Sequence, residues 1–332
     1  MKTYPEKWSA EKAWNWYDRL PWLCGFNYLP RTAVNYVEFW QASTFDYPTI
    51  QGELALAASI GFNTCRVNLV FEVWAAEPKS LLGNLDKFLA AADANGISTM
   101  ICFFDDCGTD YQHPKVGPQL PPIPGIHNSR QVPCQAKALV CDPGSWGDLE
   151  RYVSEIMSYF AGDKRILCWD IYNEPGNSEL RDKSLPLLEA SFAWARKCHP
   201  TQPLTTGIWV EEFIALNEAS CNLSDIISFH NYGPLPGTIR MMEMLTKFGR
   251  PIVCTEWMAR TMGSRIETHL PVFKEKKVGC YSWGLVNGKT QTHIPWSCLK
   301  ADTNEWFHDL FHSNGQPYDA AEIEIIQKLT QK

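Results

Sequence analysis

Short, unbroken apolar runs alternate along this chain with longer stretches in which apolar residues recur every three or four positions. The runs are WLCGFNYL (22–29), FNTCRVNLVF (62–71), STMICFF (98–104), RILCWDIY (165–172), LTTGIW (204–209), DIISFHNY (225–232), PIVCTEW (251–257) and VGCYSWGLV (278–286). Each has the length of a strand, and a continuous apolar strand is one buried on both faces. Between them, GNLDKFLAAADANG sets Leu85, Phe88, Leu89 and Ala92 on one helical face and stops at Gly96. SWGDLERYVSEIMSYF (145–160) carries a stripe of Leu149, Val153, Ile156 and Phe160, and Ser145 three places before Asp148 predicts a capping box with Asp in place of Glu. SLPLLEASFAWARKC (184–198), EEFIALNEA, GTIRMMEMLTKFG, SRIETHLPVFKEKK and YDAAEIEIIQKL complete the helical set.

Buried strands separated by helices predict a parallel sheet covered on both faces. Eight such units predict an α/β fold, a (β/α)8 TIM barrel, as one catalytic domain over residues 1–332. The rival, an open doubly wound sheet, advertises a glycine-rich phosphate turn after its first strand, and CGFNYLPRT is not one. Two connections are long: residues 30–50, carrying Tyr36, Phe39, Trp40, Phe45 and Tyr47, and residues 105–144, rich in Pro, Gly and His. Both follow strands, on the face where barrels place their sites, and long loops in compact domains are commonly functional.

Composition narrows the function. A net charge of −7 with no basic stripe argues against nucleic acid or an anionic membrane surface as partner. The KEKK run at 274–277 ends a predicted helix, where cations complement the dipole. No apolar run approaches the ~18 residues of a membrane span, and the N-terminal stretch lacks the features of a signal peptide. Of twelve cysteines, without a C-x-x-C pair, several lie inside predicted strands and read as small buried hydrophobes. They point to a reducing compartment, with cytoplasm as the expectation. The abundance of aromatic residues suits ligands such as sugars, whose C–H faces stack on rings.

The polar groups at the C-terminal ends of the predicted strands are Asn27, then Arg66 with Asn68, then Asp105 and Asp106. Asn173 and Glu174 follow on the fourth strand, Trp209 on the fifth, His230 and Tyr232 on the sixth, Glu256 on the seventh and Trp283 on the eighth. Glu174 and Glu256 matter most. A barrel brings its fourth and seventh strands across one mouth, and two carboxylates flanking one bond are the apparatus of glycoside hydrolysis. A separation of ~5–5.5 Å between them means retention through a covalent glycosyl-enzyme. Either glutamate alone is equally a solvated loop-edge residue or one half of an ion pair.

WDIYNEPGN followed by VCTEWM resembles the glycoside hydrolases of clan A, most closely family 5-like, cellulase-type enzymes. The resemblance runs from WLCGFNYLP to YSWGLVNGKTQT. It implies a (β/α)8 barrel, retaining hydrolysis of β-linked glycosides or oligosaccharides, no metal and no cofactor. Residue by residue, it implies that Glu174 is the acid/base and Glu256 the nucleophile. Asn173 would bind the sugar 2-hydroxyl; Arg66 and Tyr232 would donate to Glu256, keep it ionised and lower its pKa. His230 would sit beside the acid/base, and Trp283 would floor the subsite, with a non-proline cis peptide just after it.

The chain departs from the family at strand three, where a His is usual and FFDDCG stands instead. Asp105 or Asp106 is then expected to hold sugar hydroxyls, or His113 or His127 to reach in from the loop. Trp209 and Asn27 complete the expected sugar-binding set; Trp209, Trp40 and Trp74 read equally as platforms or as rim packing, and for Lys289 and His293 behind the eighth strand ligand contact is the minor reading. Two other classes stay open: a metal-dependent barrel using Asp105, Asp106, His113 and Glu174, and a sugar-binding barrel without catalysis.

Overall fold

A computed structural model describes residues 7–108, 113–296 and 304–331. Of the N-terminal stretch read for a signal peptide, residues 1–6 lie outside the described residues. The strands are β1 (Cys24–Asn27), β2 (Thr64–Asn68), β3 (Ser98–Asp105), β4 (Ile166–Asn173), β5 (Leu204–Thr205), β6 (Gly207–Ile208), β7 (Ile227–His230), β8 (Ile252–Trp257) and β9 (Gly279–Trp283). The helices are α1 (Ala10–Tyr17), α2 (Tyr36–Trp40), α3 (Tyr47–Ser59), α4 (Phe71–Ala76), α5 (Pro78–Ala94), α6 (Lys137–Val140), α7 (Trp146–Tyr159), α8 (Leu185–Lys197), α9 (Ile214–Leu223), α10 (Leu235–Leu245), α11 (Ile266–Glu275) and α12 (Ala320–Thr330).

All nine strands pair in parallel in one sheet of order β5-β4-β3-β2-β1-β9-β8-β7-β6. The two ends of that order, β5 and β6, are consecutive pieces of LTTGIW parted only by Thr206. They are the two halves of the predicted fifth strand, so the sheet is a (β/α)8 barrel with its seam inside one strand. At the break Thr206 Oγ1 donates to the Tyr172 carbonyl at 2.6 Å. The backbone at Gly207 then presses so close to His230 that a Cβ there would lie 2.9 Å from Nε2.

Two apolar layers hold the barrel. Outside, Ile101, Phe103, Trp169 and Ile171 of the strands pack against Leu85, Phe88, Leu149 and Val153 of the helices in one continuous core. Inside, a smaller cluster of Met100, Cys168, Val253 and Tyr281 fills the floor, and α1 plugs it from below with Ala13 and Tyr17. Tyr17 Oη donates to the Lys277 carbonyl and accepts from Gly279 N, which fastens the plug to β9.

The first long connection is not a loop throughout. It holds α2 and the start of α3, capped by Asp46, whose side chain accepts from Thr49 N, with Pro48 in the first turn. Of its aromatics, Tyr36, Phe39 and Trp40 are buried, with Phe45 and Tyr47 half-buried against them; Trp40 stacks on Phe39 at 4.0 Å and donates to the Asn68 carbonyl. The predicted capping box on α7 does not form. Ser145 instead gives its hydroxyl to Asp142, which starts a 3-10 turn ahead of the helix. No helix among the described residues is long and apolar enough to cross a membrane.

Register sets up the mouth of the barrel. Asn27 lies beside Arg66 on one side and Trp283 on the other, Asp105 lies beside Asn173, and His230 beside Glu256.

Candidate active site

A cavity of about 480 Å³ opens at the C-terminal mouth, within the range of small-ligand pockets. Glu174 and Glu256 both line it, 9% and 5% exposed. One oxygen of each, with a ring nitrogen of His230, lies within 4.8 Å of the others. The two acids that are distant in the chain therefore face one another across a shared space.

Glu174 stands one residue past β4 with φ +42°, a left-handed conformation that is costly for a non-glycine residue and typical of functional turns. Its turn is held from beneath by Asp106. That carboxylate accepts from Gly176 N at 2.8 Å, Tyr172 Oη at 2.7 Å, Ser184 Oγ and Gln135 Nε2. Asp106 thus faces away from the cavity, contrary to its expected role as a sugar ligand; neighbouring positions on a strand point to opposite faces. Burial pushes its carboxyl up to about 6. Asp105 faces the mouth, but its Oδ1 accepts from Asn173 Nδ2 at 2.8 Å and from Cys107 N. Burial raises it to about 7, with those donors opposing the rise.

Arg66 is fully buried at the centre of the network rather than exposed to the cavity. It donates to Asp170 at 2.8 and 2.7 Å, to Asn27 Oδ1 at 2.9 Å, to Glu256 Oε1 at 2.9 Å and to Asn173 Oδ1. Asn27 in turn donates to the Thr255 carbonyl at 2.8 Å. Arg66 donates to Glu256 as expected, but it and Asn27, both also placed in the sugar-binding set, act from behind, fixing the positions of Glu256 and Asn173. Tyr232 donates to Glu256 Oε2 at 2.7 Å, as expected.

The protonation pattern differs from the expected one. Burial raises Glu174, but hydrogen bonds from His230, Cys107 and Asn177 outweigh it, and its pKa lies below the usual range. Burial raises Glu256 as well; there the Glu174 charge adds to the rise against His230 and Arg66, and the net shift is upward. His230 is lowered by burial but raised more strongly by the two carboxylates, and ends above its ordinary value. Nδ1 of His230 is 2.8 Å from Glu174 Oε1 and 3.6 Å from Glu256 Oε2. Arg66 is thus outweighed at Glu256 by desolvation and the Glu174 charge, while the Glu174 carboxylate and a protonated His230 stabilise one another.

Sequence reasoning missed three groups. The Cys107 thiol donates to Glu174 Oε2 at 2.9 Å, and Asn177 Nδ2 donates to the same oxygen at 2.7 Å. Asp170, inside the barrel, anchors Arg66. Cys107 was readable as the residue standing after the departure in FFDDCG. Asn177 lies four residues past the NEP motif's Asn173, and only the turn brings it back.

Trp209 and Trp283 line the cavity, and Trp209 is steadied by its Nε1 bond to the Pro175 carbonyl. His127 also lines it, with Nδ1 tied to the Ile294 carbonyl. Trp40 and Trp74 are core, Lys289 pairs with Glu38 on the rim, and neither Lys289 nor His293 lines the cavity. The peptide bond after Trp283 is trans, not the expected cis. The alternative metal set does not assemble: Asp106 points away and His113 is exposed. Among the described residues the one group with the spacing of metal ligands is Glu174, His230 and Glu256. There His230 Nδ1 is already hydrogen-bonded to Glu174.

The family model for cellulase, glycosyl hydrolase family 5, matches residues 31–296, most of the chain. The chain belongs to glycosyl hydrolase family 5. It is an O-glycosyl hydrolase by that membership. No curated protein matches. Among solved structures, this family-5 chain is similar to GH5_18 from Streptomyces cattleya, solved in complex with GlcNAc. The identity is 13% and the TM-score 0.63, over 93% of this chain and 80% of that one. It is similar to the exo-β-1,4-mannosidase Op5Man5 from Opitutaceae bacterium strain TAV5, at 18% identity and TM-score 0.64, over 93% of this chain and 59% of that one. It is similar to the endo-β-1,4-mannanase from Thermotoga petrophila, at 13% identity and TM-score 0.59, over 93% of this chain and 76% of that one. At these identities the likeness is one of fold, and it agrees with the barrel described above.

Proposed function

We propose that this chain is one catalytic barrel that hydrolyses β-linked glycosides with retention, Glu256 acting as nucleophile and Glu174 as acid/base. The observation that carries the reading is the approach of the two carboxylates within 4.8 Å. That spacing suits direct attack by one of them, whereas inverting enzymes hold theirs ~6.5–9.5 Å apart to admit a water.

The partners divide the roles. Both oxygens of Glu256 accept from fixed donors, Arg66 and Tyr232, so its aim is set before substrate arrives. Glu174 faces a ring nitrogen able to give or take a proton. A proton passed from His230 Nδ1 to Glu174 makes it the acid. Glu174 then protonates the leaving oxygen as its bond to the anomeric carbon breaks, and Glu256 forms a glycosyl ester at that carbon. Glu174, now a base, takes a proton from water; the water oxygen attacks the anomeric carbon and Glu256 departs as carboxylate. Asn173, held between Arg66 and Asp105, is placed to meet the 2-hydroxyl, and Trp283 to stack under the ring.

The carbohydrate substrate is sought first among β-mannosides, because proteins of this fold include a mannosidase and a mannanase. Eleven described cysteines are unpaired, which supports a reducing compartment such as the cytoplasm. The test is labelling by an activated 2-deoxy-2-fluoro β-glycoside, with peptide mapping and NMR of the product anomer. Stoichiometric ester on Glu256, a β product and loss of turnover in Glu256→Gln are expected. Label elsewhere, or a Glu256→Gln variant within about threefold of the parent, overturns the assignment. A catalytically silent sugar-binding barrel takes no label, and a metal-dependent enzyme loses activity in a strong chelator.

A further inference from the structure

On one side the cavity is bounded by residues that also line a second, smaller hollow. The leaving group lies on the Glu174 side, because Glu174 must reach its oxygen. The aglycone therefore runs past Asn177 toward Trp209, at the β4–β6 side of the mouth. The ring over Glu256 and Trp283 must then point its non-reducing end the opposite way, toward β1 and the connections after β3 and β9. There Asn128, Gln131 and Trp283 form a wall. They line the catalytic cavity on one face and, on the other, a separate hollow shared with Asn27 and Tyr36.

That second hollow measures about 30 Å³. A void needs roughly 10–15 Å³ to hold one water by the same kind of measure, so it has room for about two waters and none for a sugar ring. The wall is braced by segments from three connections. Asn128 N donates to the Thr290 carbonyl at 2.7 Å, Gly125 N to Gln291 Oε1 at 2.9 Å, and His127 Nδ1 lies 2.6 Å from the Ile294 carbonyl. These bonds tie the connection after β3 to the one after β9. The connection after β1 joins through Asn35 Nδ2, which donates to Gln119 Oε1 and the Arg130 carbonyl, and through the Lys289–Glu38 ion pair. Asn128 and Gln291 sit at the two turn tips with φ +43° and +55°. Backbone bonds and left-handed tips mark a built clasp rather than two loops that happen to lie close.

Resting on the reading above, we propose that this enzyme is exo-acting: it accepts one β-glycosyl unit at a non-reducing chain end and releases it as a monosaccharide. Its substrates are then short β-oligosaccharides or β-glycosides whose terminal ring carries a free hydroxyl opposite the anomeric carbon.

The experiment uses the full chain with 4-nitrophenyl β-D-manno-, gluco-, galacto- and xylopyranosides, each with its 4-O-methyl derivative. Beside them run the β-1,4-linked tetraoses of mannose, glucose and xylose, labelled at the reducing end. The expected result is that, for whichever aryl glycoside is turned over, the 4-O-methyl form is slower by about 100-fold or more in kcat/KM. Any tetraose cleaved gives unlabelled monosaccharide and labelled trisaccharide first. Equal rates on blocked and free forms, or disaccharides among the first products, overturn the exo mode while leaving the glycosidase reading intact. Turnover of none of these, together with no fluoroglycoside label on Glu256, overturns the glycosidase reading and the exo mode with it.

Discussion

The thiol of Cys107 donates to Glu174 Oε2 at 2.9 Å, so a cysteine is one of three donors that favour the carboxylate form of the candidate acid/base. Burial pushes that thiol well above its ordinary pKa, which keeps it an S–H donor at neutral pH. Removing a donor to a carboxylate raises the carboxyl pKa. Cys107→Ala is expected to move the alkaline limb of the kcat/KM profile upward and to lower kcat by roughly 3- to 10-fold, the scale of one lost hydrogen bond. Cys107→Ser, with an O–H donor, is expected to restore the parent profile. Parallel, unshifted profiles for both variants would reduce the thiol to a space-filler.

Glu174 and Glu256 are predicted to fail differently. General acid help matters most when the leaving group is poor, and removing it costs typically about 10²–10⁴. Glu174→Ala should lose that much on an alkyl glycoside and far less in the glycosylation step of a 2,4-dinitrophenyl glycoside. Added azide should rescue the second step and give a β-glycosyl azide, because a small anion needs no base. An α-azide, or equal losses on good and poor leaving groups, would mean that Glu174 has another role.

His230 is fixed from two sides. On one, Nδ1 reaches Glu174 at 2.8 Å; on the other, Gly207 leaves its ring only as much room as it needs, since a Cβ there would lie 2.9 Å from Nε2. Gly207→Ala should push the ring off the proton-sharing bond. Overpacking of this kind costs about 1–3 kcal/mol in stability. The expected signature is a fall in kcat/KM of about tenfold or more with a shifted alkaline limb, in protein that still melts cooperatively. An unchanged pH profile would place His230 outside the proton path.

The barrel and both glutamates were legible because burial on two faces writes continuous apolar strands and because the site lies at strand ends. What was not legible is which strand-end groups face the cavity. Asp105 and Asp106 are adjacent, so only one could point inward, yet the pattern does not say which until Gly176, Tyr172 and Ser184 are seen to claim Asp106. Asn27 reads as a ligand because amide groups at a mouth usually are, and for Arg66 only the bond to Glu256 was legible, not its full burial. Their burial follows from Asp170, an acid inside the barrel that no periodicity exposes. Helix α3 escaped notice because YPTIQGELALAAS spreads Leu and Ala around the helix and leaves no stripe. The clasp after β3 and β9 depends on backbone bonds between residues more than 150 positions apart, such as Gly125 and Gln291, which sequence patterning does not record.

Glu72 predicts how stability responds to pH. It sits in the first turn of α4, where Oε1 accepts from Ala136 N at 2.7 Å and ties down the end of the long connection after β3. Its other oxygen is buried without a hydrogen-bond partner among the described residues. Burial raises its pKa from 4.5 to about 7, against the backbone donor. Below pH 4.5 the folded and unfolded chains both hold the proton. As pH climbs toward 7 the unfolded chain loses it first, so the stability present in acid is progressively lost, by about 3 kcal/mol once both states are ionised. Glu72→Gln keeps an oxygen acceptor for Ala136 N and cannot ionise. In urea unfolding followed across pH 4.5 to 8, the variant should gain on the parent steadily, with the largest advantage above pH 7. A constant offset between the two curves would show that Glu72 does not titrate differently in the fold.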